Sequence, residues 1–285
     1  MTGTATIAAA FRAACATELA ALKPGNVHVH APGHGMTAAD FLRSAEAAAP
    51  PLCRAGASLG ARVLAAVTAT RAAVGQNTNL GILLLCAPLA MAAEAGGALR
   101  AVLPAVLAQA DTADAEAVFR AIVRASPGGL GDAPQHDVRR PATVPLHAAM
   151  AAAADRDAIA RQYVSGFADV FDVGVGAFAG ACARGRTAPW AAVAAYLAFL
   201  AAFPDSHVQR KHGTAIAVRL QTQAAPWPRR LAEADDPAML MSDLLAWDAH
   251  LKRHGINPGT SADLTVASIF AHALRGDLRP AGLDG

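Results

Sequence analysis

NLGILLLCAPLAMAA, residues 79–93, is the longest apolar run in the chain. It is either a membrane span or a helix buried in a protein core. A span needs roughly 20 consecutive apolar residues. This run is shorter, and Pro88 interrupts it, so it reads as a core helix. Its surroundings agree. The 285 residues are 54% hydrophobic and 16% charged, enough apolar material for a sizeable core and too much for disorder. Alanine, the best helix former, dominates the apolar count, and aromatics are only 5%, which suits helices packed closely through small side chains.

Working outward, Ile7, Phe11, Cys15, Leu19 and Leu22 recur every three to four residues and predict a helix over 4–22. Arg12 and Glu18 lie inside that apolar pattern. With no basic leader before it, the segment does not read as a signal peptide. Pro24 ends the helix, and a Gly-, Pro- and His-rich loop follows over 24–36. Thr37 with Asp40 three residues on is close to a capping box, opening a helix that runs to Pro50-Pro51. Further helices are expected over 52–73, from 79, and over 99–109, 114–125, 146–171, 189–202, 206–224, 237–253 and 261–274. Residues 127–145, with four Pro and three Gly, form a long loop, and long loops in compact domains are often functional. No alternating β-branched run is long enough for a sheet. The expectation is an all-α single-domain multi-helix bundle over 1–276 with a loop-lined nucleotide pocket, and a Pro/Gly-rich tail over 277–285.

A net charge of +2 and the absence of a basic run argue against nucleic acid. Four scattered cysteines without C-x-x-C read as reduced core residues of a cytoplasmic protein. The apolar fraction leaves room for a homodimer.

Polar residues concentrate at loop–helix junctions: 18–36, 75–81, 128–137, and 204–213 with 257–264. Gly or Pro mixed with Asp, Asn, His, Lys and Arg supplies backbone N–H groups, carboxylates and cations at helix starts, where phosphates bind well. Four blocks carry a resemblance. They are K-P-G-N-V (23–27) with H-G-M (34–36) and F-L-R-S (41–44), N-T-N-L-G (77–81), D-S-x-x-x-R-K-x-G (205–213) and N-P-G-T-S-A-D-L (257–264). In this order they resemble the triphosphoribosyl-dephospho-CoA synthase family. The resemblance implies an all-α fold and transfer of the triphosphoribosyl part of ATP to a hydroxyl of dephospho-CoA, with release of adenine. Leu80 and Gly35 replace a lysine and an aspartate of the citrate-lyase branch. The chain is more similar to an archaeal and methylotroph branch, which implies ribosyl-phosphate transfer in tetrahydromethanopterin-type cofactor synthesis as the alternative. A helical nucleotide-binding protein without catalysis is a further reading.

Such a reaction needs a group to stabilise positive charge at C1′, an acid for adenine, a base for the acceptor hydroxyl, and cations with Mg²⁺ for the triphosphate. Lys23, Arg210 and Lys211 are expected on phosphates. Gly25, Asn26, Asn77, Thr78, Asn79, Asn257 and Ser261 are expected around ribose or phosphate. Asp205 and Asp263 are the Mg²⁺ ligands or the acceptor base, Asp132 and Asp137 stand in reserve, and His34 is an acid–base candidate. Plainer readings accompany these: Lys23 as a helix C-terminal cation, Asp205 and Asn77 as caps, Ser261 and Asp263 as first-turn residues, Arg210 and Lys211 as a solvated face. His28, His30 and His34 suggest a three-imidazole zinc site, and His250 with His254 a weaker pair without the glutamate of a zinc protease.

Overall fold

A computed structural model describes residues 2–128 and 130–275. The chain runs α1 (Thr4–Ala20), α2 (Ala38–Leu52), α3 (Leu59–Val74), α4 (Leu80–Ala95), α5 (Leu99–Ala108), α6 (Thr112–Ala125), α7 (Leu146–Ala151) and α8 (Ala158–Ser165). A π-helical turn (Val170–Val175) then leads into α9 (Gly176–Ala183), followed by α10 (Ala188–Ala202), α11 (Ser206–His212), α12 (Thr214–Ala224) and α13 (Trp227–Glu233). A 3₁₀ turn (Pro237–Leu240) precedes α14 (Met241–Arg253), and α15 (Gly259–Leu274) completes the described chain. Among the described residues the only β pairing is two isolated bridges in the 24–36 loop, His28 with Ala31 and Gly33 with Met36. The fold is all-α. The expected tail, 277–285, lies outside the described residues.

Local chemistry sets the boundaries. Thr37 and Asp40 form the full capping box of α2. Helix α3 starts seven residues later than the expected 52, because the Ser58 hydroxyl caps it and Gly56 turns the chain before it. The single helix expected over 146–171 is three pieces. Asp157 accepts from the backbone N–H groups of Ile159 (2.8 Å) and Ala160 (3.2 Å) to start α8 afresh, and Gly166 and Phe167, both at positive φ, end it. The helix expected over 206–224 breaks at Gly213, φ +86°. Helix α9 and the π turn escaped the periodicity reading because glycines 174, 176 and 180 dilute the apolar pattern. Gly174 is required by packing, since a Cβ there would overlap the Ser268 hydroxyl and the Phe199 ring.

Two 16-residue helices, α4 and α15, form the centre. Helix α15 lies against α1, α4, α10 and the π turn, and α4 lies against α3, α5 and α15. Leu83, Leu85 and Leu89 of α4 are wholly buried, each worth about 1.5–3 kcal/mol relative to an exposed leucine. Among the described residues no single helix is long and apolar enough to cross a membrane. Helices α3 and α6 approach closely at Gly60, whose N–H donates to Asp114 Oδ1 (2.7 Å) and whose added Cβ would lie 2.7 Å from the Asp114 Cα.

Three helix starts are tied together. Asp205 Oδ1 accepts from the N–H groups of His207 and Val208, both at 3.0 Å, capping α11. Its Oδ2 accepts from the Ser261 N–H and hydroxyl, both at 2.8 Å, holding the first turn of α15. Ser206 Oγ meets Thr260 Oγ1 at 3.0 Å and accepts from the Ala158 N–H at 3.2 Å, bringing in α8. Asp205 is therefore a buried staple. Its removal leaves several buried donors unmatched, so Asp205→Ala should destabilise the protein by about 3 kcal/mol in urea unfolding. Gly60→Ala should cost about 1–3 kcal/mol by forcing α3 off α6, measured the same way, without touching the cavity described next.

Candidate active site

The tied helix starts open onto a cavity of about 800 Å³. Its polar wall is built from the 24–36 loop, the starts of α4, α8 and α15, and α11. Its apolar wall includes Val118, Phe119, Ile122, Leu146 and Met150. The 127–145 loop forms a rim, so that long loop does border the site. Helices α4 and α15, 16 residues each, both have N-terminal residues lining the cavity, where the helix dipole favours anions.

Most of the expected residues meet here. Asn26, His34, Asn77, Thr78, Asn79, Arg210, Lys211, Asn257 and Asp263 line the cavity, as do Asp132 and Asp137 on the rim. Asn77 Oδ1 accepts from the Leu80 N–H (3.1 Å) and caps α4, while the Thr78 hydroxyl donates to Ser44 Oγ (2.6 Å). The Asn79 side chain is buried, and its Nδ2 has no partner among the described residues. Arg210 donates to the Gly128 carbonyl and to Asp157 Oδ2, both at 3.3 Å. Asp132 is taken by Arg139, and Asp137 accepts from the N–H groups of Ala133 (3.1 Å) and Arg139 (2.9 Å).

Four expected residues stand behind the wall instead. Lys23 is 1% exposed and ion-paired with Glu18, so it has no route to a phosphate. Gly25 donates its N–H to Asp248 Oδ1 (2.8 Å) and adopts φ +85° against Pro258, where a Cβ would come within 2.9 Å. It shapes the loop rather than touching ligand. Ser261 is wholly buried and spends its hydroxyl on Asp205. Asp205 itself is not on the cavity surface, and both its oxygens are filled, which leaves neither lone pairs for Mg²⁺ nor reach for a base.

Residues to which the sequence reading gave no role also line the cavity, among them Glu18, Gln76 and His207 within the polar junctions and Arg71, Arg156 and Asp157 outside them. For Glu18 a signal existed: an acid inside the apolar stripe of α1. It is 4% exposed, and its Oε1 accepts from Lys23 Nζ. Lys23 also donates to Asn26 Oδ1 (2.9 Å), and Asn26 Nδ2 donates to Asn257 Oδ1 (2.8 Å). Burial pushes the Glu18 carboxyl up and the Lys23 ammonium down, while their contact opposes both.

Asp263 is the contrasting carboxylate. It accepts no hydrogen bond from any described residue, and it occupies the space beside Gly81, where a Cβ would overlap its Oδ2. Burial, then the charges of Glu18 and Asp205, hold its pKa well above the usual carboxylate range, outweighing the charge of Lys23. His34 Nε2 donates to the Gly25 carbonyl (2.8 Å), which leaves Nδ1 as the acceptor; burial lowers its pKa. His207 is pushed down to about 3 by burial and then by Arg210 and Lys211, so its ring is neutral.

The expected metal pairs do not assemble. Among the described residues no group of three or more His, Cys, Asp or Glu could hold a metal ion. His28 is buried against Asp248 Oδ1 (3.3 Å), His30 is exposed, and His34 turns to Gly25, so the three imidazoles do not converge. His254 Nδ1 bonds the His250 carbonyl (2.8 Å) at the end of α14, a capping arrangement. The Asp205–Asp263 pair expected for Mg²⁺ loses Asp205 to the staple.

Comparison with known proteins agrees with this picture. No curated protein matches the sequence significantly. The fold matches the crystal structure of an Archaeoglobus fulgidus protein inferred to be a triphosphoribosyl-dephospho-CoA synthase, with a TM-score of 0.66 and 27% identity, covering 83% of this chain and 99% of that one. Residues 4–280 match the model of the CitG family, described as ATP:dephospho-CoA triphosphoribosyl transferase, and the chain belongs to that family of transferases.

Proposed function

We propose that the cavity binds the magnesium complex of ATP, with Arg210, Lys211 and the start of α4 around the triphosphate, and that Asp263 protonates the departing adenine. Magnesium enters as part of the substrate, held mainly by phosphate oxygens, since it needs only one or two protein carboxylates. Asn77, Asn79 and Asn257 bind ribose or phosphate oxygens through their amides, and the unpartnered Nδ2 of Asn79 supports this. The observation that carries the reading is Asp263, an unpaired, half-buried carboxyl on the cavity wall at the start of a core helix. Breaking the ribosyl C–N bond leaves negative charge on adenine, and a carboxyl that keeps its proton at neutral pH is suited to neutralise it.

The acceptor is dephospho-CoA, as in the family. A second reading has one observation behind it: Leu80, at the position of the citrate-lyase branch's lysine, lines the cavity near the apolar wall. A flat, uncharged aromatic acceptor such as a pterin precursor would suit that surface better than a charged one. Incubation with ATP and each acceptor, following free adenine, separates these. Adenine with neither, despite nucleotide binding, would reduce the protein to a binding module.

Asp263→Asn should lower kcat for adenine release by about 10²–10⁴-fold while the helical circular-dichroism spectrum is kept. An acid must carry its proton, so wild-type kcat should be sustained below the raised pKa of Asp263 and fall as pH rises through it. That alkaline limb should vanish in D263N. Gly81→Ala should reproduce much of the loss by displacing the same carboxyl. Arg210→Gln with Lys211→Gln should raise KM for ATP most at low salt, where exposed charges are least screened; an unchanged KM would remove both from the phosphate site.

A further inference from the structure

We infer that Glu18 is the second catalytic carboxylate of this cavity, the group that takes the proton of the acceptor hydroxyl, with Lys23 as its positioning residue. The inference rests on the transferase reading above and adds the base to the acid.

The geometry carries it. Glu18 sits in the last turn of α1 and lines the same cavity as Asp263. Its Oε1 is held by Lys23, while its Oε2 accepts from no described residue. Lys23, 1% exposed, is fixed in turn by Asn26, and Asn26 by Asn257. A nearly buried carboxylate is thus locked in one orientation with a free oxygen on a substrate cavity. A purely structural role explains this less well. Buried ion pairs seldom stabilise a fold more than apolar side chains of the same volume would, and a structural pair has no need to face the cavity. The environments of the two acids also divide the labour. Glu18 has a cation in direct contact that favours its ionised form against the upward push of burial, whereas Asp263 has none in contact and is held toward its protonated form.

The step balances within the pair. The acceptor O–H bond breaks and its proton goes to Glu18. The oxygen's electron pair forms the bond to C1′ of the donor ribose. The C1′–N9 bond breaks with its electrons on adenine, which takes the proton of Asp263 and leaves neutral. Glu18 then carries the proton that Asp263 has lost, and proton exchange with solvent after the products leave restores the resting state. No oxidant, reductant or further reactant is needed.

The test compares wild type, Glu18→Gln and the double variant E18Q/K23Q, in which a neutral amide pair replaces the ion pair and keeps a hydrogen bond. Unfolding, ATP binding by calorimetry, and kcat for adenine release across pH are measured for each. The expected result is folded variants that bind ATP within a few-fold of wild type and lose about 10²-fold or more in kcat. Wild-type kcat should also fall toward acid pH as Glu18 takes up a proton, a limb absent from the residual activity of both variants. A double variant with kcat within about 3-fold of wild type, or with the acid limb intact, would overturn the proposal and leave Glu18 as Lys23's structural partner. Should neither variant fold, the wild-type profile decides: a kcat flat toward acid pH sinks the proposal, and an acid limb supports it. Absence of adenine from the wild-type enzyme would instead overturn the transferase reading itself, a different failure from activity that survives loss of Glu18.

Discussion

The hydrogen bond from the Asn26 side-chain amide to Asn257 Oδ1 joins segments 231 residues apart, and the site is organised around it. Asn26 is one member of a buried polar chain that runs from Glu18 through Lys23 to the turn before α15. Every member spends a hydrogen-bonding group on the next, so the end of α1, the 24–36 loop and the start of α15 move as one unit. Asp248 fastens the same loop from the other side, accepting from the Gly25 N–H, from His28 and from Lys252 (3.0 Å), while Tyr196 donates to the Pro24 carbonyl (2.8 Å). An irregular loop is held as firmly as a helix because its backbone is bonded on both flanks to buried side chains. Networks of this kind are costly when incomplete, which is why the chain specifies them so fully.

The helical part of the fold was legible wherever an apolar stripe ran uninterrupted, as in α1, α4, α10 and α15. It was illegible where glycine served packing rather than turning. Gly174 admits Ser268 and Phe199 into the π turn, and to a periodicity count that glycine looks like a break. The pieces of 146–171 were merged for the converse reason: residues 148–154, alanine except for Met150, are good helix formers throughout, and only the Asp157 cap and the positive φ of Phe167 show that the chain restarts there.

The site was legible as a set of blocks but not as a set of roles. Each block mixes residues that face the ligand with residues that hold them. In 257–264, Asp263 faces the cavity while Ser261, two residues away, serves the Asp205 staple. In 23–27, Asn26 reaches the wall while Lys23 and Gly25 lie behind it. Both kinds of residue are polar, and both sit at helix starts. Helical spacing alone does not separate them, because the decision is made by what a distant segment brings alongside. Glu18 shows the reverse: it opens the 18–36 junction but lies outside the motifs that carry the family resemblance, and only an acid at a core position on α1 hinted at a role.

Two carboxylates and one ammonium buried at a cavity wall make a conspicuous concentration of charge for a fold otherwise packed with alanine and leucine. Desolvation opposes each charge, and one lysine can balance only one acid. The second acid lowers its cost by keeping a proton, which makes the resting cluster neutral and leaves a proton ready for transfer. In the proposed reaction, positive charge developing on the donor ribose would add a second favourable partner for the carboxylate that Lys23 holds at the cavity wall, an interaction realised only in the transition state. Helix starts at the cavity extend the same logic to the phosphates, whose negative charge would meet the positive ends of the α4 and α15 dipoles. The packed core then matters for a reason beyond stability: it prevents these charges from relaxing toward one another before the substrates arrive.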